Sequence, residues 1–198
     1  MVFARSDRKV LEIRRHSLTK KGPDRGKGSH LSGAGVQLAR RIGETIGPCD
    51  LVLTSPSPRT IETALAMGYA VDECLDALGE MPEAFVQEIG HHERWSWEEP
   101  FQVFAEVFAR GGAAAQVGQH VRAAWRAAAA ALPDPGKGLL ITHGRLLEVG
   151  VVACLPETPL VICGRSFSHC EGLQLGYEAG QFHLLQQLRL VSTDHASE

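Results

Sequence analysis

Three stretches of the chain share one pattern: a short apolar run that breaks off at a polar, cationic tip. Val10-Leu-Glu-Ile-Arg-Arg15-His16 runs into a basic, turn-rich segment, and Asp50-Leu-Val-Leu-Thr-Ser55 runs into Pro56-Ser-Pro58-Arg59. Gly138-Leu-Leu-Ile-Thr-His143-Gly144 follows shortly after Pro135-Gly136. Apolar runs of this length bounded by breakers predict buried strands. Between them the apolar spacing changes to three and four. Val36, Ala39, Ile42 and Ile46 mark a helix that begins after Ser32, whose hydroxyl suits an N-cap. A second helix is predicted from about Thr60 to Met67. Val117, Val121, Ala124, Ala128 and Leu132 share one face of a longer helix over 113–131, which Pro133 and Pro135 stop. The apolar runs Leu173 to Tyr177 and Phe182 to Leu188, separated by Glu-Ala-Gly, predict a β-hairpin that extends the sheet.

Strand and helix therefore alternate, which predicts an α/β domain whose largely parallel sheet is covered on both faces. With 198 residues, 44% of them hydrophobic, one domain spanning 1–198 is expected. In sheets of this kind ligands bind beyond the carboxyl ends of the strands, so Arg15, His16, Arg59 and His143 are expected to converge on one crevice.

Charge narrows the choice of partner. A formal net charge of -3 and a pI near 6.3 provide no bulk excess of Lys and Arg, so neither nucleic acid nor a membrane surface is expected as a partner. The first residues, MVFARSDRKVLEIRRHS, scatter charge where a secretory signal needs an apolar stretch, and a cytoplasmic protein is expected. Five cysteines, Cys49, Cys74, Cys154, Cys163 and Cys170, lack the paired close spacing of a zinc site or a disulfide framework and are expected to be reduced and mostly buried. His91-His92-Glu93 has poor geometry for a metal and no matching third ligand, so no metal is expected.

The cationic tips carry the candidate chemistry. A neutral imidazole at His16 can attack phosphorus, and the Arg15 and Arg59 guanidinium groups can hold phosphate oxygens bidentately. His143 can add a further hydrogen bond, and positive neighbours favour the neutral form of His16. An arginine near a positive helix N-terminus, as at Arg59, is unfavourable unless an anion also sits there. The leaving oxygen needs a proton, and Glu80 is the chosen donor among several nearby carboxylates. No cofactor is required by this chemistry. Arg14 points to the opposite face of its strand from Arg15 and is either structural or a substrate contact. The basic loop from Lys20 to Lys27 is either a contact for a second anionic group or a solvated loop. Trp95, Trp97, Phe101 and Phe104 either line a cap or belong to the core.

These residues carry a resemblance. Arg15-His16-Ser17, Leu31-Ser-Gly-Ala-Gly35-Val-Gln37, Ser55-Pro-Ser-Pro-Arg59-Thr-Ile-Glu-Thr63-Ala64, Leu78-Gly-Glu80 and Thr142-His143-Gly144 resemble, in order, the motifs of the histidine phosphatase superfamily, the phosphoglycerate-mutase-like family, in the branch without the His-Asp acid-phosphatase motif. The resemblance implies a phosphoglycerate-mutase-like three-layer domain with a short cap or insert at about 80–112. It also implies a covalent phosphohistidine on His16, a phosphate pocket of Arg15, Arg59 and His143, and Glu80 as acid. Ser17 replaces the usual Gly and is expected either to tighten the loop or to add a hydrogen bond to phosphate. Thr60 replaces a small Ala. The expected activity is metal-independent phosphomonoester hydrolysis of a small phosphorylated metabolite, with a phosphoprotein as another substrate class. The competing readings are a phosphoglycerate mutase-type phosphoryl transfer, a protein phosphohistidine phosphatase, and an inactive phosphate-binding or interaction module.

Overall fold

The computed structural model describes residues 9–21, 29–90 and 100–190. Strand β1 (Lys9–Arg15) lies between β4 (Gly136–Thr142) and β5 (Gly172–Glu178). The sheet continues on one side through β2 (Leu51–Thr54) to the two-residue β3 (Glu73–Cys74), and on the other to β6 (Gln181–Leu188), giving the order β3-β2-β4-β1-β5-β6. The four strands from β3 to β1 are parallel; β5 pairs antiparallel with β1 and forms the hairpin with β6.

Alternation along the strands assigns each face. Leu139 and Ile141 of β4 join Val52 and pack under α1 (Gly33–Ile46) and α2 (Pro58–Ala66), with Leu38, Ala39, Ala64 and Met67. Leu140 joins Leu11 and Ile13 of β1 on the opposite face, against a larger core. That core is covered by α3 (Glu83–Ile89), α4 (Pro100–Ala109), α5 (Ala113–Ala131) and α6 (Leu146–Cys154). The expected three layers are present. Ser32 caps α1, its hydroxyl accepting the Gly35 N–H at 3.1 Å. The buried face of α5 is set by Trp125, with Val121 and Ala128 beside it.

Phe101 and Phe104 are almost fully buried in the larger core with Phe85 and Ile89, which decides the choice between cap and core for these two aromatics. Trp95, Trp97 and His91-His92-Glu93 lie outside the described residues, as does the basic loop beyond Lys21. Among the described residues no helix is long and apolar enough to cross a membrane, and no group of three or more His, Cys, Asp or Glu is placed to hold a metal ion. All five cysteines are free; Cys154, Cys163 and Cys170 are buried and Cys74 is exposed.

Candidate active site

The register of the parallel strands brings the predicted residues together. Arg15 pairs with Thr142 at the ends of β1 and β4, and the His16 N–H donates to the Thr142 carbonyl at 2.9 Å. His16 and His143 therefore leave adjacent strands at the same level, with ring centroids 5.2 Å apart in an edge-on arrangement. Thr54 at the end of β2 pairs with Ile141, so the turn into α2 delivers Arg59 to the same edge.

Hydrogen bonds fix the ring protons. His16 Nδ1 lies 2.8 Å from the Ser17 carbonyl, which can only accept, so Nδ1 carries the hydrogen and Nε2 carries the lone pair. Burial, then the neighbouring His143, Arg15 and Arg59, hold the pKa of His16 well below the usual imidazole value. Arg59 Nε and Nη2 approach His143 Nδ1 at 3.2 and 3.0 Å, so that nitrogen accepts and Nε2–H donates to Ser55 Oγ at 2.9 Å. Burial, with Arg59 and Arg15, lowers the His143 pKa to about 3. Both ring nitrogens of His143 are thus engaged by the protein.

Arg15 donates from Nη1 to the Phe167 carbonyl at 2.9 Å, while its buried Nε has no hydrogen-bond partner among the described residues. A Cβ on Gly144 would meet the guanidinium at 3.3 Å, a close approach that leaves little room for a larger residue. Behind Arg15 lies Glu148, fully buried, accepting the N–H groups of Arg145 (2.5 Å) and Phe167 (3.0 Å). Burial raises its pKa, against which Arg15 acts. Arg145, a non-glycine residue, is held at a φ of 72°, a conformation that costs an L residue about 1–3 kcal/mol.

Glu80 is exposed at the mouth of a cleft of about 520 Å³ that is also lined by Ser55, Ser57, Arg59, Asp76 and His143. The turn carrying Glu80 is pinned to the sheet by Thr142 Oγ1, which donates to the Leu78 carbonyl at 2.7 Å. Gly79 packs on Ser55, where a Cβ would fall 2.7 Å from the serine Cβ.

One expectation is corrected. The hydroxyl of Ser17 is fully buried and donates to the Gly35 carbonyl at 2.7 Å, so it does not serve the pocket as a phosphate ligand. The Ser17 N–H donates instead to Thr63 Oγ1 at 3.0 Å, tying the His16 loop to α2. The loop sits close because Gly35 faces the Leu18 carbonyl, where any Cβ would lie 2.0 Å from the oxygen. Sequence reasoning passed over Ser55, Asp76, Glu148 and His169, although Ser55 stands in the quoted Arg59 motif. The ring of His169 lies 5.6 Å from that of His16.

A parallel sheet edge carrying two neutral, buried imidazoles and two guanidinium groups is the equipment of a phosphoryl-transfer domain. The chain belongs to the histidine phosphatase superfamily (branch 1), whose family model matches residues 13–187. No curated protein matches the chain in sequence. Solved structures do match in fold. A phosphoserine phosphatase from Entamoeba histolytica, bound to phosphoserine, superposes with a TM-score of 0.66 at 16% identity, over 95% of this chain and 99% of that one. A phosphoglycerate mutase from Bacillus anthracis gives 0.62 at 16% identity, over 90% and 93%. A mycobacterial glucosyl-3-phosphoglycerate phosphatase gives 0.62 at 18% identity, over 92% and 100%.

Proposed function

We propose that the protein is a metal-independent phosphomonoester hydrolase that works through a phosphohistidine on His16. The observation that carries this reading is the pair of groups at the end of β1: a neutral His16 with its lone pair on Nε2, and the buried Nε of Arg15, which has no hydrogen-bond partner among the described residues. A buried donor without a partner is costly in a folded protein unless a ligand completes it, and a phosphoryl oxygen does so.

The reaction follows in two steps. His16 Nε2 attacks phosphorus as the bond to the leaving oxygen breaks, and Glu80, protonated beside the substrate dianion, transfers its proton to that oxygen. Water then attacks the phosphohistidine, Glu80 takes the water proton, and the N–P bond breaks to release phosphate and neutral His16. Arg15 and Arg59 hold the equatorial oxygens. Arg59 turns from His143 to the phosphoryl group, and His143, still neutral, joins it as a donor from Nδ1 once the Ser55 hydroxyl donates to Nε2. Exposed Asp76 and Glu80 leave the cleft mouth open to water, which favours hydrolysis over return of the phosphoryl group to an acceptor. A small phosphorylated metabolite is the substrate class that suits a cleft of this size.

The test is phosphate release from p-nitrophenyl phosphate in excess EDTA, comparing the wild type with His16→Ala and Glu80→Gln. Activity should survive EDTA and vanish in His16→Ala, by about 10³-fold or more. Glu80→Gln should slow phenyl phosphate more than p-nitrophenyl phosphate, since only the poorer leaving group needs the proton. Activity abolished by EDTA alone would sink the mechanism. A phosphoenzyme without hydrolysis would move the reading to a mutase.

A further inference from the structure

We propose that His169 is a third imidazole of the phosphate pocket, which binds the phosphoryl dianion as an imidazolium and so links anion binding to uptake of one proton. The proposal rests on the reading of the pocket given above and adds to it a residue from the far side of the sheet, contributed by the turn that leads into β5.

The backbone of that turn carries the argument. Cys170, a buried non-glycine residue, stands at a φ of 60°, in the left-handed region that disfavours an L side chain. Three main-chain contacts hold it there. The Cys170 N–H donates to the Arg15 carbonyl at 3.0 Å, the Arg15 N–H donates to the Glu171 carbonyl at 2.9 Å, and the Cys170 carbonyl accepts Arg14 Nη1 at 2.7 Å. The carboxylate of Glu171, fully buried, anchors the turn from behind: it accepts the N–H groups of Ser168 (2.8 Å) and Leu190 (3.0 Å) and pairs with Arg165 and Arg189. A strained turn fastened to both arginines of β1 thus sets the partly exposed His169 edge-on to His16, with ring centroids 5.6 Å apart and planes at 62°. The rings of His143 and His169 both lie edge-on to that of His16. A dianion arriving at His16 comes within reach of a third imidazole.

The charges around the ring decide its protonation. From β1 it meets His16, whose own charged or titratable neighbours are His143 from the turn after β4, Arg15 from β1 and Arg59 from α2, while Glu148 acts on Arg15. On its own turn Glu171 is already paired with Arg165 and Arg189. A tetrahedral dianion bound at His16 brings negative charge to the neighbouring ring and favours its imidazolium, which donates a charge-assisted hydrogen bond. His16, His143 and Glu80 can in principle take up the same proton, so the test must separate them from His169.

Tungstate is a suitable probe because it stays dianionic over the pH range of interest. Calorimetry of tungstate binding to the wild type at pH 7.5, in two buffers of different ionisation heat, should show close to one proton taken up, and the Kd should weaken by more than about tenfold from pH 6 to pH 8, as linkage to that proton requires. In His169→Asn and His169→Gln, which keep an amide donor but cannot titrate, the proton uptake should fall and the Kd should change by less than about twofold over the same range. No proton uptake in the wild type would overturn the proposal without any substitution. An unchanged pH profile in both variants would overturn it too, by assigning the proton to His16, His143 or Glu80. Failure of the wild type to bind tungstate at all would overturn the phosphatase reading along with it.

Discussion

Two consecutive arginines on one strand have opposite fates. Arg14 points towards the α1 and α2 layer, where its Nε meets Glu12 Oε1 at 2.5 Å and its Nη1 donates to the Cys170 carbonyl at 2.7 Å. Glu12, almost fully buried, also pairs with Lys137 at 2.8 Å and accepts Gln174 at 2.9 Å. Burial pushes the pKa of Glu12 up, but Arg14, Lys137 and Gln174 outweigh it and the net shift is down. Arg15 points the other way, donates to one carbonyl, and keeps a buried Nε without a partner among the described residues. The satisfied arginine belongs to the scaffold, and the unsatisfied one is the arginine proposed for the ligand. Saturation of hydrogen bonds, more than residue type or burial, separates the two.

The sharpest way to break the comparison is to exchange the losses. Arg15→Lys keeps the charge but removes the planar fork, and kcat/KM for p-nitrophenyl phosphate should fall by about 10²–10³ with little change in the urea midpoint. Comparable activity in Arg15→Lys would remove Arg15 from the pocket. Glu12→Ala should do the opposite. It strands the buried Arg14 charge, so unfolding free energy should drop by about 3–5 kcal/mol while KM stays within about twofold. The double substitution Glu12→Leu with Arg14→Met should recover most of that loss, because a buried pair replaced by apolar groups of similar size is close to neutral. No recovery in urea denaturation would show that Arg14 acts beyond the pair.

The two sides also differed in how far the sequence revealed them. Arg15, His16, Arg59 and His143 were legible because each follows a short apolar run, and parallel strands of matched register must bring such tips together. Glu148, Asp76 and His169 follow no such run. Their closeness to the site depends on tertiary packing: Glu148 on a helix buried at every one of its nine positions, so α6 shows no amphipathic period, and His169 on a turn set by a left-handed residue. β3, only two residues long, has too little pattern to detect. Trp125 was passed over for the same helix whose smaller residues were placed inward, since spacing alone does not say where the centre of a buried face lies.

A smaller effect separates the sides by pH. The folded-state pKa values of His16 and His143 are depressed, the latter to about 3, against about 6.5 in an unfolded chain. Between these values the unfolded state binds more protons, so stability is full above about pH 6.5 and declines as pH falls, by up to about 1.4 kcal/mol per pH unit for each group. Glu12, shifted down, and Glu171, held at about 2 with Arg165 paired against its burial, lose their share only below the ordinary carboxylate range. Glu148, raised by burial, acts with opposite sign, its share falling as pH rises through its folded value. Urea midpoints measured from pH 7.5 to 5.5 therefore report the two pocket histidines. The slope should flatten in His16→Asn, and a wild-type stability that does not change over this interval would mean that the pocket imidazoles are not held neutral by the fold.

The smallest expected change concerns Ser17, which follows the two arginines and the proposed nucleophile in the chain and yet belongs to the scaffold. Its hydroxyl donates to Gly35 and its N–H to Thr63, so the side chain links α1 to the loop rather than the loop to a ligand. Ser17→Gly removes one buried hydrogen bond and adds backbone freedom to the unfolded chain, which together should cost about 1–2 kcal/mol in urea denaturation. KM and kcat should each stay within about twofold, because neither Nε2 of His16 nor the guanidinium of Arg15 depends on that hydroxyl for its orientation. A tenfold rise in KM at unchanged stability would place the hydroxyl in the pocket, and with it the boundary between scaffold and ligand site would move one residue along the chain.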